Sequence, residues 1–92
     1  MEGHSQISPE VVARYAGDAA REAPGVAGVV EGVRKGVRVD GTAIVLHLAV
    51  DWGASVPAVG ADVQRRVREY LARMADVRPA TVDVVVEEIG AP

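Results

Sequence analysis

Two periodic segments joined by a short turn constrain the fold of this chain more than any other feature. Residues 43–51 alternate between apolar and mixed side chains, as in a strand that buries one face. Residues 56–75 instead repeat apolar side chains at helical spacing, with charged residues on the opposite side. A strand followed by an amphipathic helix of this length predicts a sheet that packs against helices.

The alternation assigns the strand residues to two faces. One face is predicted to be buried and consists of Ile44, Leu46, Leu48 and Val50. The outer face consists of Val45, His47, Ala49 and Asp51, which Asp83, Val85 and Glu87 of a later strand are expected to join. The apolar stripe of the helix is predicted to contain Val56, Val59, Gly60, Val63, Val67, Tyr70, Leu71 and Met74.

Capping and turn signals define the remaining elements. Ser8 and Pro9 predict the start of a first helix, which Pro24-Gly25 ends. Short strands are predicted near residues 26–30 and 36–40, with a loose turn between them. The dipeptide Asp40-Gly41 predicts a hairpin into residues 43–51, and residues 81–89 form the last strand.

These elements predict an α+β fold, a two-layer sandwich in the order α-β-β-β-α-β. Its small sheet of three or four strands is expected to be mostly antiparallel or mixed, with both helices on one face. Residues 1–6 are expected to form a flexible N-terminus and residues 7–90 a single domain.

Composition excludes several functional classes. The chain has 92 residues, no cysteine and a net charge of −3, so thiolate metal sites and disulfides are excluded and nucleic acid is not generally attracted. No signal peptide is recognisable, and no apolar run reaches the roughly 20 residues that span a bilayer. The basic residues between 65 and 78 alternate with Asp62 and Glu69, which favours a solvated helix face.

The joint DWGASVPAV, residues 51–59, raises the question of an anion site. Ser55 with Pro57 is typical of a helix N-cap, and no glycine-rich phosphate motif is present, so capping is the favoured interpretation. Gly25 and Gly28 have the GxxG spacing of an RNA-clamping loop, but a strand-like segment follows and the loop has no basic residue. An RNA-binding module is therefore a minor alternative.

His47 and Trp52 are the side chains with chemical or binding potential. His47 is expected to meet Asp83 or Glu87 across the sheet, usually a surface pair rather than an acid–base site. His4 and His47 alone make a poor ligand set, so no metal and no cofactor are expected. Trp52 either closes the end of the core or serves as a binding anchor, and the sequence leaves both open.

With these elements placed, the chain resembles the alkaline-shock-protein family, the cell-envelope stress proteins of Gram-positive bacteria. The resemblance rests on ISPEVVARYAGDAAREAPGVAGV, on KGVRVDGTAIVLHLAVDWGASVPAVGADVQRRVREYLARM and on VDVVVEEI. APGV stands where the family has a VPGV-like turn, and Trp52-Gly53 where it often has Tyr-Gly. The turn of residues 32–36 is short, and the long polar extensions of some members are absent.

The resemblance implies a non-enzymatic protein of the envelope and alkaline stress response, which carries no catalytic residues. It also implies a cytoplasmic protein, held near the membrane through a partner that supplies the membrane segment, without direct insertion. We expect self-association as well, with a partner interface that includes Val45, His47, Asp51, Trp52 and Val85. An iron–sulfur assembly scaffold is the alternative by fold, but such a scaffold requires cysteine.

Overall fold

The computed structural model describes residues 7–92 and contains two helices and four strands. The elements are α1 (Pro9–Arg21), β1 (Val26–Val29), β2 (Val37–Asp40), β3 (Ala43–Val50), α2 (Val56–Ala75) and β4 (Thr81–Ile89). The predicted order and the two-layer α+β architecture are confirmed. The expected flexible N-terminus, residues 1–6, lies outside the described residues.

β3 is the central strand of a mixed sheet. β4 lies along one side of it in parallel, with Ile44 beside Val82 and Leu48 beside Val86. β1 and β2 both lie on its other side and run antiparallel to it. The predicted hairpin at Asp40-Gly41 is confirmed, because Asp40 pairs with Ala43 across that turn.

β1 and β2 are two halves of one interrupted edge strand. Val29 pairs with Leu48 and Val37 with Leu46, so both halves follow the same side of β3 in the same direction. At the break, the Val30 N–H donates to the His47 carbonyl at 2.8 Å, and the His47 N–H donates to the Gly36 carbonyl at 3.0 Å. The Gly36 N–H donates to the Val30 carbonyl at 2.7 Å, so residues 31–35 leave the sheet as a closed loop.

Both helices begin at a serine cap followed closely by a proline. The Ser8 hydroxyl accepts a hydrogen bond from the Val11 N–H, and the Ser55 hydroxyl accepts one from the Ala58 N–H, each at 3.3 Å. These bonds satisfy amide groups that have no partner within the helix. α2 ends at Asp76, a non-glycine residue in the left-handed region at a φ of 53°.

The core lies between the helices and one sheet face. It contains the four predicted residues of β3 together with Val12, Ala16, Ala19, Ala20, Ala23, Val59, Val63, Val67, Leu71 and Val82. Tyr15 and Tyr70 meet edge to face above it, with ring centroids 5.7 Å apart. Small side chains on α1 let that helix approach closely, which compensates for the absence of phenylalanine.

The helical pattern predicts Met74 in the core, but this side chain is 48% exposed. The buried positions of α2 are four residues apart, from Val59 through Leu71. Continuing this ridge reaches Ala75 rather than Met74, because a spacing of four drifts around the helix relative to its ideal period. Met74 therefore lies beside the packed ridge in the last turn.

Candidate functional site: the open face of the sheet

The face of the sheet away from the helices, called here the open face, has an apolar centre. Its central stripe is formed by the outward residues of β3: Ala43, Val45, His47 and Ala49. All four are half-buried, although no helix covers them, because the flanking strands shield them on both sides. Val85, beside His47 on β4, is 39% exposed and extends this apolar area.

Opposite charges flank the central stripe. Arg38 on β2 and Asp83 on β4 both pair with Val45, one on each side, and both are exposed. Side chains of directly paired residues share a face of the sheet, so Arg38, Val45 and Asp83 form one row across the open face. In the neighbouring row toward the Asp40-Gly41 turn, Asp40 lies on one side of Ala43 and Thr81 on the other.

His47, Glu87 and Lys35 form an ion-pair cluster at the middle of the open face. His47 Nδ1 lies 2.8 Å from Glu87 Oε2, a distance at which the ring N–H donates to the carboxylate. Lys35 Nζ lies 3.4 Å from the other carboxylate oxygen. Together they link the loop, β3 and β4, and the prediction that His47 meets Asp83 or Glu87 is resolved in favour of Glu87.

The position of Glu87 depends on a bulge in β4. Leu48 pairs with Val86 and Ala49 with Glu88, so Glu87 is the extra residue between two normal pairs. Bulges re-aim a side chain locally, and here the carboxylate reaches back to His47. The hydrogen bond from His47, and then the positive charge of Lys35, lower the pKa of the Glu87 carboxyl.

The cluster binds itself rather than presenting reactive groups. The Glu87 carboxylate is occupied by two donors, and the row neighbours of His47 and Glu87 on β3 are aliphatic. Among residues 7–92, no group of three or more histidine, cysteine, aspartate or glutamate side chains is placed to hold a metal ion. The arrangement supports a structural link across the face, and no nucleophile–base pair is formed there.

Trp52 lies at the end of β3 with 63% of its surface exposed. It therefore does not close the core, which removes one of the two interpretations left open by the sequence. Asp51, beside it, is also exposed, while its N–H donates to the Gly25 carbonyl at 2.8 Å. Ile89, 57% exposed, pairs with Val50 at the same end of the sheet. Sequence reasoning missed Ile89, because alternation alone does not locate the end of a covered strand.

The helix surfaces agree with the predicted solvated and capped interpretations. Arg65 and Arg66 both form ion pairs with Asp62, and Arg65 also pairs with Glu69. The two arginines beside Asp62 lower the pKa of its carboxyl, Arg66 more strongly than Arg65. The depression beside the Ser55 cap contains Asp62 and no basic residue, so its charge does not favour an anion.

These features define a class: a small α/β sandwich domain with one sheet face free of helices. Solved structures of the same fold include two MamM-CTD variants, each with a TM-score of 0.55 and 23% sequence identity. One covers 88% of this chain and 98% of its own, and the other 89% and 95%.

A family model of the alkaline shock proteins, described as having a "cell envelope-related function", matches residues 29–91. The chain belongs to this family, which confirms the resemblance seen in the sequence and gives the protein a cell-envelope-related function. An uncharacterised Bacillus subtilis (strain 168) protein, YqhY, is 36% identical over 82% of this chain and 68% of its own length. Among residues 7–92, no helix combines the length and hydropathy needed to cross a bilayer.

Proposed function

We propose that this protein is a non-enzymatic component of the envelope stress response that acts by binding other proteins. It associates with itself through the open face and with a membrane-anchoring partner that holds it at the cytoplasmic side of the membrane. The contact surface includes Val45, His47 and Val85, with Asp51 and Trp52 at its border.

One observation carries this proposal: an apolar stripe bordered by charges lies on the face that no helix covers. Interfaces commonly have an apolar centre and a polar rim, and the open face has both. Trp52 adds an exposed aromatic side chain at the end of the same strand, and tryptophan is enriched among residues that dominate binding energy. The absence of phenylalanine leaves a small aliphatic core, so burial by a second copy would add stability.

The charge of the open face favours protein over RNA as the occupant. Asp40, Asp83 and Glu87 lie on or beside the face, against Lys35 and Arg38. RNA-binding sheets combine basic residues with stacking aromatics, and the central stripe has neither. The iron–sulfur scaffold alternative has no support in a chain without cysteine.

A growth experiment in the source bacterium tests the envelope role. A strain deleted for this gene should grow poorly at alkaline pH or with a cell-wall antibiotic, and the wild-type gene should restore growth. Val85→Glu, which places a charge on the open face, should fail to restore growth. The control Ala61→Glu introduces the same charge at an exposed position of α2 and should restore it.

The outcomes separate the two parts of the proposal. A deletion strain that grows like wild type under every stress would refute the envelope role. Full restoration by Val85→Glu, at an expression level equal to that of Ala61→Glu, would refute use of the open face.

Membrane recruitment through a partner is tested by flotation. The purified protein should remain at the bottom of a gradient with protein-free anionic vesicles, because a chain with net charge −3 is repelled by them. It should float with native membranes, and protease treatment of those membranes should abolish flotation. Strong flotation with protein-free vesicles would contradict recruitment by a protein.

A further inference from the structure

We propose that two copies pack open face to open face around a two-fold axis parallel to β3, with Arg38 of each copy against Asp83 of the other. This inference rests on the proposed self-association and specifies its geometry. The occupant of the open face is therefore a second copy of this chain.

The two side chains cannot satisfy each other within one copy. They lie on strands on opposite sides of β3, so their backbones are separated by two strand spacings, about 9.6 Å. Among the described residues, neither side chain takes part in an ion pair. Each copy therefore presents an unpaired cation on the β2 side and an unpaired anion on the β4 side of the same row.

This polarity selects one of the two possible face-to-face arrangements. A half-turn about an axis parallel to β3 exchanges the two sides, so the β2 side of one copy lies over the β4 side of the other. Arg38 then meets Asp83 twice in each dimer, as an isologous interface requires. A half-turn about an axis perpendicular to the strands keeps the sides, so Arg38 would face Arg38 and Asp83 would face Asp83, which is repulsive.

The central stripe fits the same arrangement. With the axis above β3, Val45 of one copy lies against Val45 of the other, and the small Ala43 and Ala49 let the sheets approach to the usual spacing of about 10 Å. Lys35 and Glu87 are already paired within each copy, so the cluster brings little net charge to the axis. Asp40 lies over Thr81 of the second copy, whose hydroxyl can donate to it.

The free edge of β4 is a poorer route to self-association. In an antiparallel β4–β4 pair centred on Val85, Asp83 would lie opposite Glu87, and like charges directly opposite each other are destabilising. The bulge at Glu87 also interrupts the regular edge that an added strand would need. Charge and shape thus favour the face over the edge.

The size of the face predicts a weak dimer. β3 is about 26 Å long and three strand positions are about 14 Å wide, so each copy contributes an area near the lower end of specific interfaces. Association should therefore depend on concentration, and sedimentation equilibrium over a range from about 10 µM to 1 mM covers the micromolar affinities expected of small interfaces.

Charge reversal tests the geometry. Arg38→Glu and Asp83→Arg should each weaken dimerisation by about 10- to 100-fold, because two rim ion pairs become two repulsive pairs. The double variant Arg38→Glu/Asp83→Arg should regain wild-type association. The control Arg14→Glu, an equal charge change at an exposed position of α1, should leave the dissociation constant unchanged.

The outcomes distinguish this geometry from the broader proposal. Single variants that dimerise like wild type would overturn the axis parallel to β3 while leaving self-association intact. A double variant that stays monomeric, with circular dichroism matching the wild type, would also overturn the Arg38–Asp83 contact. A wild-type chain that is monomeric throughout the concentration range would overturn self-association as well.

Discussion

Replacing Gly25 by alanine should destabilise the fold more than the same replacement at Gly41. Both glycines have positive φ, +90° and +61°, so each alanine carries a backbone penalty of about 1–2 kcal/mol. At Gly41, no atom lies within 4 Å of the added Cβ. At Gly25 the Cβ would lie 2.7 Å from Val59 Cγ2 and 3.3 Å from the Ala54 Cβ, which adds about 1–3 kcal/mol of overpacking.

The total expected loss is about 2–5 kcal/mol for Gly25→Ala and about 1–2 kcal/mol for Gly41→Ala. A domain of this size has a free energy of unfolding of about 5–14 kcal/mol, so both variants should fold and be measurable by urea denaturation.

A double variant isolates the steric part of the loss. Val59→Ala removes the methyl group that the new Cβ would strike, although it also opens the core and costs about 1–3 kcal/mol alone. Gly25→Ala/Val59→Ala should therefore be more stable than the sum of the single losses predicts. Equal losses at Gly25 and Gly41, or strict additivity with Val59→Ala, would refute this reasoning.

Three further predictions concern charge, capping and metal. Because the pKa of Glu87 is lowered in the folded state, its carboxylate stabilises the fold above the ordinary glutamate pKa and loses that effect as the pH falls through the lowered value. Thermal melts of wild type and Glu87→Gln should thus differ at pH 7 and converge between about pH 5 and 3; a constant difference would contradict the pair with His47. Ser55→Ala should reduce the free energy of urea unfolding by about 0.5–2 kcal/mol, and an unchanged value would show that the cap contributes nothing. Melting curves with and without EDTA should coincide, and a fall of several degrees would reveal a structural metal.

Local signals in the sequence were sufficient for most of the fold. The predicted bounds of α2 and β4 agree with the structure, because caps, prolines and periodicity mark their ends. The Asp40-Gly41 hairpin was predictable because two residues determine its turn. The break between β1 and β2 was not, since it depends on hydrogen bonds that join Val30 and Gly36 to His47, which lies far from them in sequence.

The candidate site was only partly predictable for the same reason. Alternation along β3 correctly assigned Val45 and His47 to the face away from the helices. It could not choose between Asp83 and Glu87 as the partner of His47, because the bulge in β4 shifts the register within that strand. The role of Arg38 was also missed, since its position opposite Asp83 emerges only when both ladders are known.

The central position of β3 has a consequence for how the molecule opens. β1, β2 and β4 each form ladder hydrogen bonds only with β3, so no pair of strands remains joined when β3 is displaced. Partial opening of the sheet can release an outer strand, but release of β3 dismantles the whole layer and exposes Leu46 and Leu48. The amide protons of these two residues should therefore exchange with deuterium only through complete unfolding, while those of β1 exchange through smaller local openings.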